Sequence, residues 1–239
     1  MKKLFLSFIT FISLTALAQD NNTINDANAQ KRSITGSFTA ITVSSGIELY
    51  LTQGNEESVA VSTTDSKYLD HFKTEVENGV LKIYFDNKGF SWGASDKRKL
   101  KAYVSFKTLE KLYGSSGAAV KAQGSFELNN FDMKFTSGSD FSGKLNAKEL
   151  TVEQSSGSVI NITGKAEKIK VEVSSGAVFK GYDLAVDYCD ASASSGAGVR
   201  ITINKELNAK ASSGAGIHYK GEALIRDINV SSGGLVKRA

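Results

Sequence analysis

A Ser-Ser-Gly triplet returns at a nearly constant interval through the second half of this chain. It stands at Ser115-Ser116-Gly117, Ser155-Ser156-Gly157, Ser174-Ser175-Gly176, Ser194-Ser195-Gly196, Ser212-Ser213-Gly214 and Ser231-Ser232-Gly233, and a degenerate copy, Thr136-Ser137-Gly138, fills the one gap. Successive glycines are 21, 19, 19, 20, 18 and 19 residues apart. Self-similarity at a fixed short period marks a repeat architecture, in which each unit buries its apolar face against its neighbours.

Aligning the units on the triplet glycine exposes the buried positions. Three residues after it stand Val120, Phe141, Ile160, Phe179, Val199, Ile217 and Val236. Five residues before it stand Leu112, Met133, Val152, Val171, Ala191, Ala209 and Ile228. Polar residues fill the positions between. Alternation within each unit implies half-buried strands. The same alternation at the same offset implies that the buried faces stack.

A unit of about 19 residues is too short for a helical pair, and the leucine-rich-repeat pattern is missing. The expected fold is all-β: a parallel β-solenoid, right-handed by the general preference of parallel crossovers, behind a more irregular β-rich N-terminal part. Each triplet makes a corner, at Ser116-Gly117, Gly138, Ser156-Gly157, Ser175-Gly176, Ser195-Gly196, Ser213-Gly214 and Ser232-Gly233. Glycine takes the left-handed conformation there, and serine hydroxyls are expected to bond the backbone or one another up the stack. Seven corners in the repeats predict about six windings.

Four regions are expected. Residues 1–18 read as a secretory signal peptide: Lys2 and Lys3, an apolar run from Leu4 to Leu14, and the small-x-small site Ala16-Leu17-Ala18. The run is shorter than a membrane-spanning helix needs, and no cysteine follows to carry a lipid. Residues 19–33 are polar and read as a flexible leader. Residues 34–112 form an N-terminal β-strand region, and 113–239 the Ser-Ser-Gly solenoid. In the N-terminal part, Asn78-Gly79 between alternating runs predicts a hairpin. Ser66 to Phe72 is the one stretch suited to a helical turn. The expected location is beyond the inner membrane: periplasm, outer surface or medium.

The exported β-rich chain, the segment from Phe38 to Leu49 with Gly46-Ile47-Glu48 inside it, and the later triplets resemble the head GIN domain family. That family is described as auto-transporter adhesins and is found mostly in Bacteroidetes. The resemblance runs from about residue 34 to the C-terminus. It implies a β-helix-like fold and an envelope or surface role, and brings no catalytic residues. Glu48 replaces the asparagine of the family's Gly-Ile-Asn motif.

Composition narrows the function. Without Lys2 and Lys3 the formal charge falls from +4 to +2, too little to argue for nucleic acid or an anionic surface. Cys189 is the only cysteine and shares its offset with Phe131, Leu150, Ile169 and Leu207, so it reads as core. His71 and His218 lie far apart and outside any metal-ligand spacing. Seven near-identical serine sites with two histidines argue for structure over nucleophilic catalysis. Asp140 and Asp190 read as turn residues; with Asp183 and Asp187 they leave a polysaccharide-cleaving enzyme as the least favoured reading, because units of constant length leave little chain for cleft walls. No cofactor is expected, although the loop around Asp86 to Asp96 leaves room for an isolated calcium ion. Phe90 and Trp92, with Lys97 and Arg98 close by, are the candidate contact residues for a glycan or an envelope protein. The leading reading is a non-enzymatic binding or adhesion module. A structural protein that self-associates through its end coils is the alternative.

Overall fold

The computed structural model describes residues 26–89 and 98–239. It is a parallel β-solenoid of about seven turns, built as one 16-stranded sheet system. The strands are β1 (Gln30–Arg32), β2 (Ala40–Val43), β3 (Glu48–Gln53), β4 (Ser58–Thr63), β5 (Phe72–Glu77), β6 (Val80–Phe85), β7 (Leu100–Phe106) and β8 (Lys111–Gly114). Five long ones follow: β9 (Ala119–Phe135), β10 (Asp140–Gln154), β11 (Val159–Val173), β12 (Val178–Ala193) and β13 (Gly198–Ala211). The last are β14 (Gly216–Lys220), β15 (Leu224–Val230) and β16 (Leu235–Arg238). Among the described residues no helix is long and apolar enough to cross a membrane.

The corner rests on backbone geometry more than on hydroxyls. Both Ser116 and Gly117 have positive φ, 52° and 72°, and the Ala118 N–H donates to the Ser115 carbonyl at 3.1 Å. Two positive φ values with that closing bond make a type I′ turn. The pattern repeats at Ser137, Ser156, Ser175, Ser195, Ser213 and Ser232. The turns are then stitched together: the glycine N–H of each donates to the middle serine's carbonyl in the next winding, as from Gly117 to Ser137 at 3.0 Å and Gly176 to Ser195 at 3.1 Å. A hydroxyl contact between windings is seen at Thr136 Oγ1 and Ser155 Oγ, 3.0 Å apart.

The middle serine thus sits in a region that L-residues rarely adopt, costing about 1–2 kcal/mol each relative to the right-handed well. Two outcomes follow. Gly176→Ala should lose about 1 kcal/mol from the backbone alone, since a Cβ there meets nothing within 4 Å. Ser175→Asn should not destabilise, because asparagine tolerates this conformation better than serine. Chemical denaturation of both variants checks the pair.

The inward columns are stacked as expected. Phe141 pairs in register with Val120 and Ile160, Ile160 with Phe179, and Phe179 with Val199. All five are buried, as is Ile217 one winding on. They belong to a single apolar cluster that also takes in Phe38, Ile41, Leu49, Leu81 and Val104 of the N-terminal strands.

Stack order and chain order differ at the N-terminus. Strand β2 pairs parallel with both β6 and β8, and β3 with both β7 and β9. The winding made of β2 and β3 therefore lies between that of β6 and β7, later in sequence, and that of β8 and β9. Antiparallel additions flank the first winding: β4 on β7, β1 on β4 and β5 on β6. The hairpin turns at Asn78-Gly79, both with positive φ, and a 3₁₀ turn spans Ser66–Tyr68. Strand β1 falls inside the stretch read as a flexible leader. Its edge is held by the β4 ladder and by Arg32, which donates to the Leu69 carbonyl at 2.8 Å.

A candidate binding face along one outward row

Residues four positions after each turn glycine point outward from neighbouring windings, one step beyond the buried column. In stack order the row reads Tyr103, Tyr50, Lys121, Ser142, Asn161, Lys180, Arg200, His218 and Lys237. Adjacent members are one strand spacing apart, about 4.8 Å.

The first end of the row is aromatic and charge-balanced. The rings of Tyr50 and Tyr103 stack, centroids 5.1 Å apart with 13° between planes. Lys121 Nζ lies 5.4 Å from the Tyr50 centroid and forms an ion pair with Glu48. The Tyr103 hydroxyl donates to Asp26 at 2.7 Å. Burial and that carboxylate push the Tyr103 phenol well up.

Three carboxyls here respond to one lysine differently. Burial favours the neutral acid at Glu48, yet hydrogen bonds from Lys121 and Tyr50 and the charges of Lys121 and Lys101 hold it below the ordinary range. Burial pushes Asp140 up, with Lys121 opposing. Asp26 is held down first by the Tyr103 hydroxyl. Lys121→Met should therefore raise the titration of both Glu48 and Asp140 and leave Asp26 in place. Glu48 has a depressed value when folded, so its contribution to stability is present above the ordinary carboxylate range and disappears as pH falls through the folded value. The variant should lose that acid-side dependence. Carbonyl-detected NMR titration reads all three groups.

The far end of the row is different in kind. Lys180, Arg200, His218 and Lys237 follow one another without an intervening acid. Lys180, Arg200 and Lys237 are exposed, and none of the four makes an ion pair among the described residues. Lys220 stands beside them, its Nζ 4.4 Å from the centroid of the Tyr182 ring. On the flanking row are Val178, Gly198 and Gly216, with little side chain between row and backbone.

The sheet face preceding each corner is built the other way. There cations meet anions across and along windings: Lys134 with Glu153 at 2.9 Å, Lys168 with Glu149 at 3.5 Å and Lys170 with Glu172 at 2.8 Å. Asn208 donates to Asp190 at 2.6 Å. Such exposed pairs contribute little to stability, but they neutralise the face. A groove of about 480 Å³ lies near the β7–β8 connection, lined by Gln53, Lys107, Glu110, Glu127 and Asp132 over buried Leu109, and it also mixes both signs.

The family described as "Putative auto-transporter adhesin, head GIN domain" matches residues 37–223. The chain belongs to this family. No curated protein matches it. Among solved structures, this head GIN protein resembles a protein from Bacteroides fragilis described as a putative adhesin. The TM-score is 0.80 at 14% identity, covering 88% of this chain and 96% of that one. A putative adhesin from Parabacteroides merdae gives 0.67 at 16% identity, covering 88% and 95%. A protein from Parabacteroides distasonis described as a putative lipid binding protein gives 0.64 at 19%, covering 90% and 98%. At these identities the likeness is one of fold.

Of the expected contact residues in the head GIN chain, Phe90, Trp92 and Lys97 lie outside the described residues. Arg98 is half-buried, with its guanidinium carbon 4.7 Å from the centroid of Phe85, and burial holds it below its ordinary value. It covers an edge of the core there. His71 stacks on the same ring, 5.6 Å between centroids, and its Nδ1 bonds the Asp86 carbonyl at 2.8 Å. The sequence Gly89-Phe90-Ser91-Trp92-Gly93 has Gly-x-Ser-x-Gly spacing. That spacing means a nucleophile elbow only between a strand and a helix, and Phe90 to Gly93 lie outside the described residues.

Cys189 is 3% exposed and its thiol is pushed up by burial, first of all, and by Asp190. Asp140 and Asp190 are not turn residues: Asp140 opens β10 and Asp190 lies within β12. Asp183 is two windings from Asp140 and exposed. Among the described residues no group of three His, Cys, Asp or Glu side chains could hold a metal ion. Most of the calcium loop lies outside them.

The basic row escaped the sequence reading because total charge was summed without asking where it falls. The signal was available: the same glycine alignment, moved one residue beyond the buried column, spells Lys180, Arg200, His218 and Lys237.

Proposed function

We propose that this head GIN protein is an exported, non-enzymatic adhesion module of the bacterial envelope that binds through the outward rows of its solenoid. The carrying observation is the row itself: regularly spaced side chains on a backbone whose ladders already occupy its hydrogen-bonding groups. Many weak contacts along such a face add up as multivalent binding does. The family description supports the adhesion reading. The apolar run and small-x-small site before residue 19 support export. Beads coated with the folded mature chain should be retained saturably on envelope preparations or a glycan array. Failure to retain on all of them would remove the reading.

A second reading has its own observation. The final winding leaves Leu224, Ile225, Ile228, Val230 and Leu235 exposed, whereas Leu207, Ala209 and Ala211, the partners of Ile225, Ile228 and Val230 one winding earlier, are buried. Strand β16 is the last member of the sheet order, so one edge of its ladder is unpaired. Edges with apolar side chains invite a further strand. The opposite end carries antiparallel β1, β4 and β5, so a second copy would meet this one end to end through the final windings, as a closed dimer. Light scattering across a wide concentration range decides this: a monomer throughout would discard it.

A further inference from the structure

Resting on the adhesion reading, we infer that the row Lys180, Arg200, His218 and Lys237 is a docking site for an acidic polysaccharide, laid along the stack with its carboxylates over the cations. Four features carry this. Among the described residues the row makes no ion pair, whereas Lys205 pairs with Asp187 at 2.6 Å and Arg238 with Glu222 at 2.6 Å.

The spacing is the second feature. One basic side chain per winding, the lysines and arginine charged and His218 a hydrogen-bonding imidazole between them, sets a step of about 4.8 Å, over roughly 14 Å for the four. A polyuronate carries one carboxylate on each ring, and a sugar ring spans a step of similar size. Duplex DNA presents a charge every ~1.7 Å of axis, far denser than this row. Single-strand binders offer open aromatic faces for bases, but Lys220 sits over the ring of Tyr182.

The third feature is access. Val178, Gly198 and Gly216 form a shelf beside Lys180, Arg200 and His218, with Leu235 beside Lys237. A Cβ placed on Gly198 would meet only a Val178 methyl, at 4.0 Å. One placed on Gly216 would stand 3.5 Å from His218 Nε2, so the imidazole leans across the shelf. A linear polymer can approach the backbone at Gly198. The fourth is continuity: Asn161 and Ser142 extend the row toward Lys121 with neutral groups suited to sugar hydroxyls.

The test uses the mature chain and polygalacturonate as probe, with neutral dextran, single-stranded poly-dT and phosphatidylglycerol vesicles beside it. Calorimetric or biolayer titration should show saturable binding to polygalacturonate that weakens steeply with salt, since exposed charges are screened within ~10 Å at 0.1 M. The double variant Lys180→Glu/Arg200→Glu should weaken it by about tenfold or more. The neutral pair Lys180→Gln/Arg200→Gln should lose less. Lys148→Glu/Lys210→Glu, exposed and away from the row, changes net charge equally and should leave affinity within about twofold.

Equal losses in the two charge-reversed pairs would overturn the site, because net charge alone would explain them. So would tighter binding to poly-dT or to vesicles, or no binding to polygalacturonate. If dextran or other neutral glycans bind and polygalacturonate does not, the inference falls and the adhesion reading survives. If nothing on beads or array binds, the adhesion reading falls with it.

Discussion

Gly164→Ala is expected to cost about 4 kcal/mol, in the range where a single substitution points to one specific mechanism. Gly164 has φ of 115°, and a Cβ built on it would lie 2.0 Å from the Leu145 carbonyl oxygen and 3.0 Å from its carbon. Leu145 is its register partner in the preceding winding, where the β10–β11 pairing runs on either side without a shift. The obstacle is therefore backbone that already belongs to a ladder, and it cannot swing aside as a side chain can. Gly176→Ala supplies the contrast, with a similar sign of φ and empty space. For a chain of this size, the difference should appear as a fall in melting temperature of roughly 8–16 °C for Gly164→Ala and a few degrees for Gly176→Ala. A Gly164→Ala variant that melted within a degree or two of wild type would mean that the windings are not in this register.

The second large effect concerns Phe179. Truncation to alanine removes a fully buried ring and should cost about 3–5 kcal/mol. The size of that side chain is tied to Gly181. A Cβ on Gly181 would lie 2.6 Å from the Phe179 ring and 3.3 Å from the Arg200 carbonyl. Phe141 and Gly143 repeat the arrangement, with the ring 3.0 Å from a Cβ at Gly143. Two windings with smaller residues in the buried column carry larger ones two positions on, Ile160 with Ile162 and Val199 with Ile201, while Val120 is followed by Ala122, whose Cβ would lie 2.4 Å from one at Gly143. In the windings of Phe141, Ile160, Phe179 and Val199 a large residue at one position of the pair goes with a small one at the other or with two of medium size, as close packing demands.

Gly181→Ala alone should therefore cost about 1–3 kcal/mol by overpacking. In a Phe179→Ile background it should cost much less, because the ring that blocks it is gone. A double-mutant cycle on denaturation free energies measures the coupling. Strict additivity would show that the ring and the glycine do not share space.

Much of this organisation can be read along the chain. The triplet period specifies the corners, because two consecutive left-handed residues need glycine at the second and a small residue at the first. The alternating columns specify which side chains stack, since a one-residue slip would turn every buried residue outward. Those are local rules repeated at one interval, and they need no knowledge of what lies across the molecule. The pairing of Phe179 with Gly181 is visible in the same alignment once volumes are compared.

Three-dimensional packing settled the rest. The placement of β2 and β3 between windings that come later in sequence depends on contacts some forty to seventy residues apart, which no local pattern encodes. The fate of Arg98, folded over Phe85, depends on where the core edge lies. Which cations meet an acid is likewise a matter of position. Lys180 and Lys168 are the same residue type on adjacent strands, yet Lys168 meets Glu149 across a winding and Lys180 meets no acid. A linear sum of charges cannot distinguish them, because electrostatic interaction falls off with distance in space and not with separation along the chain.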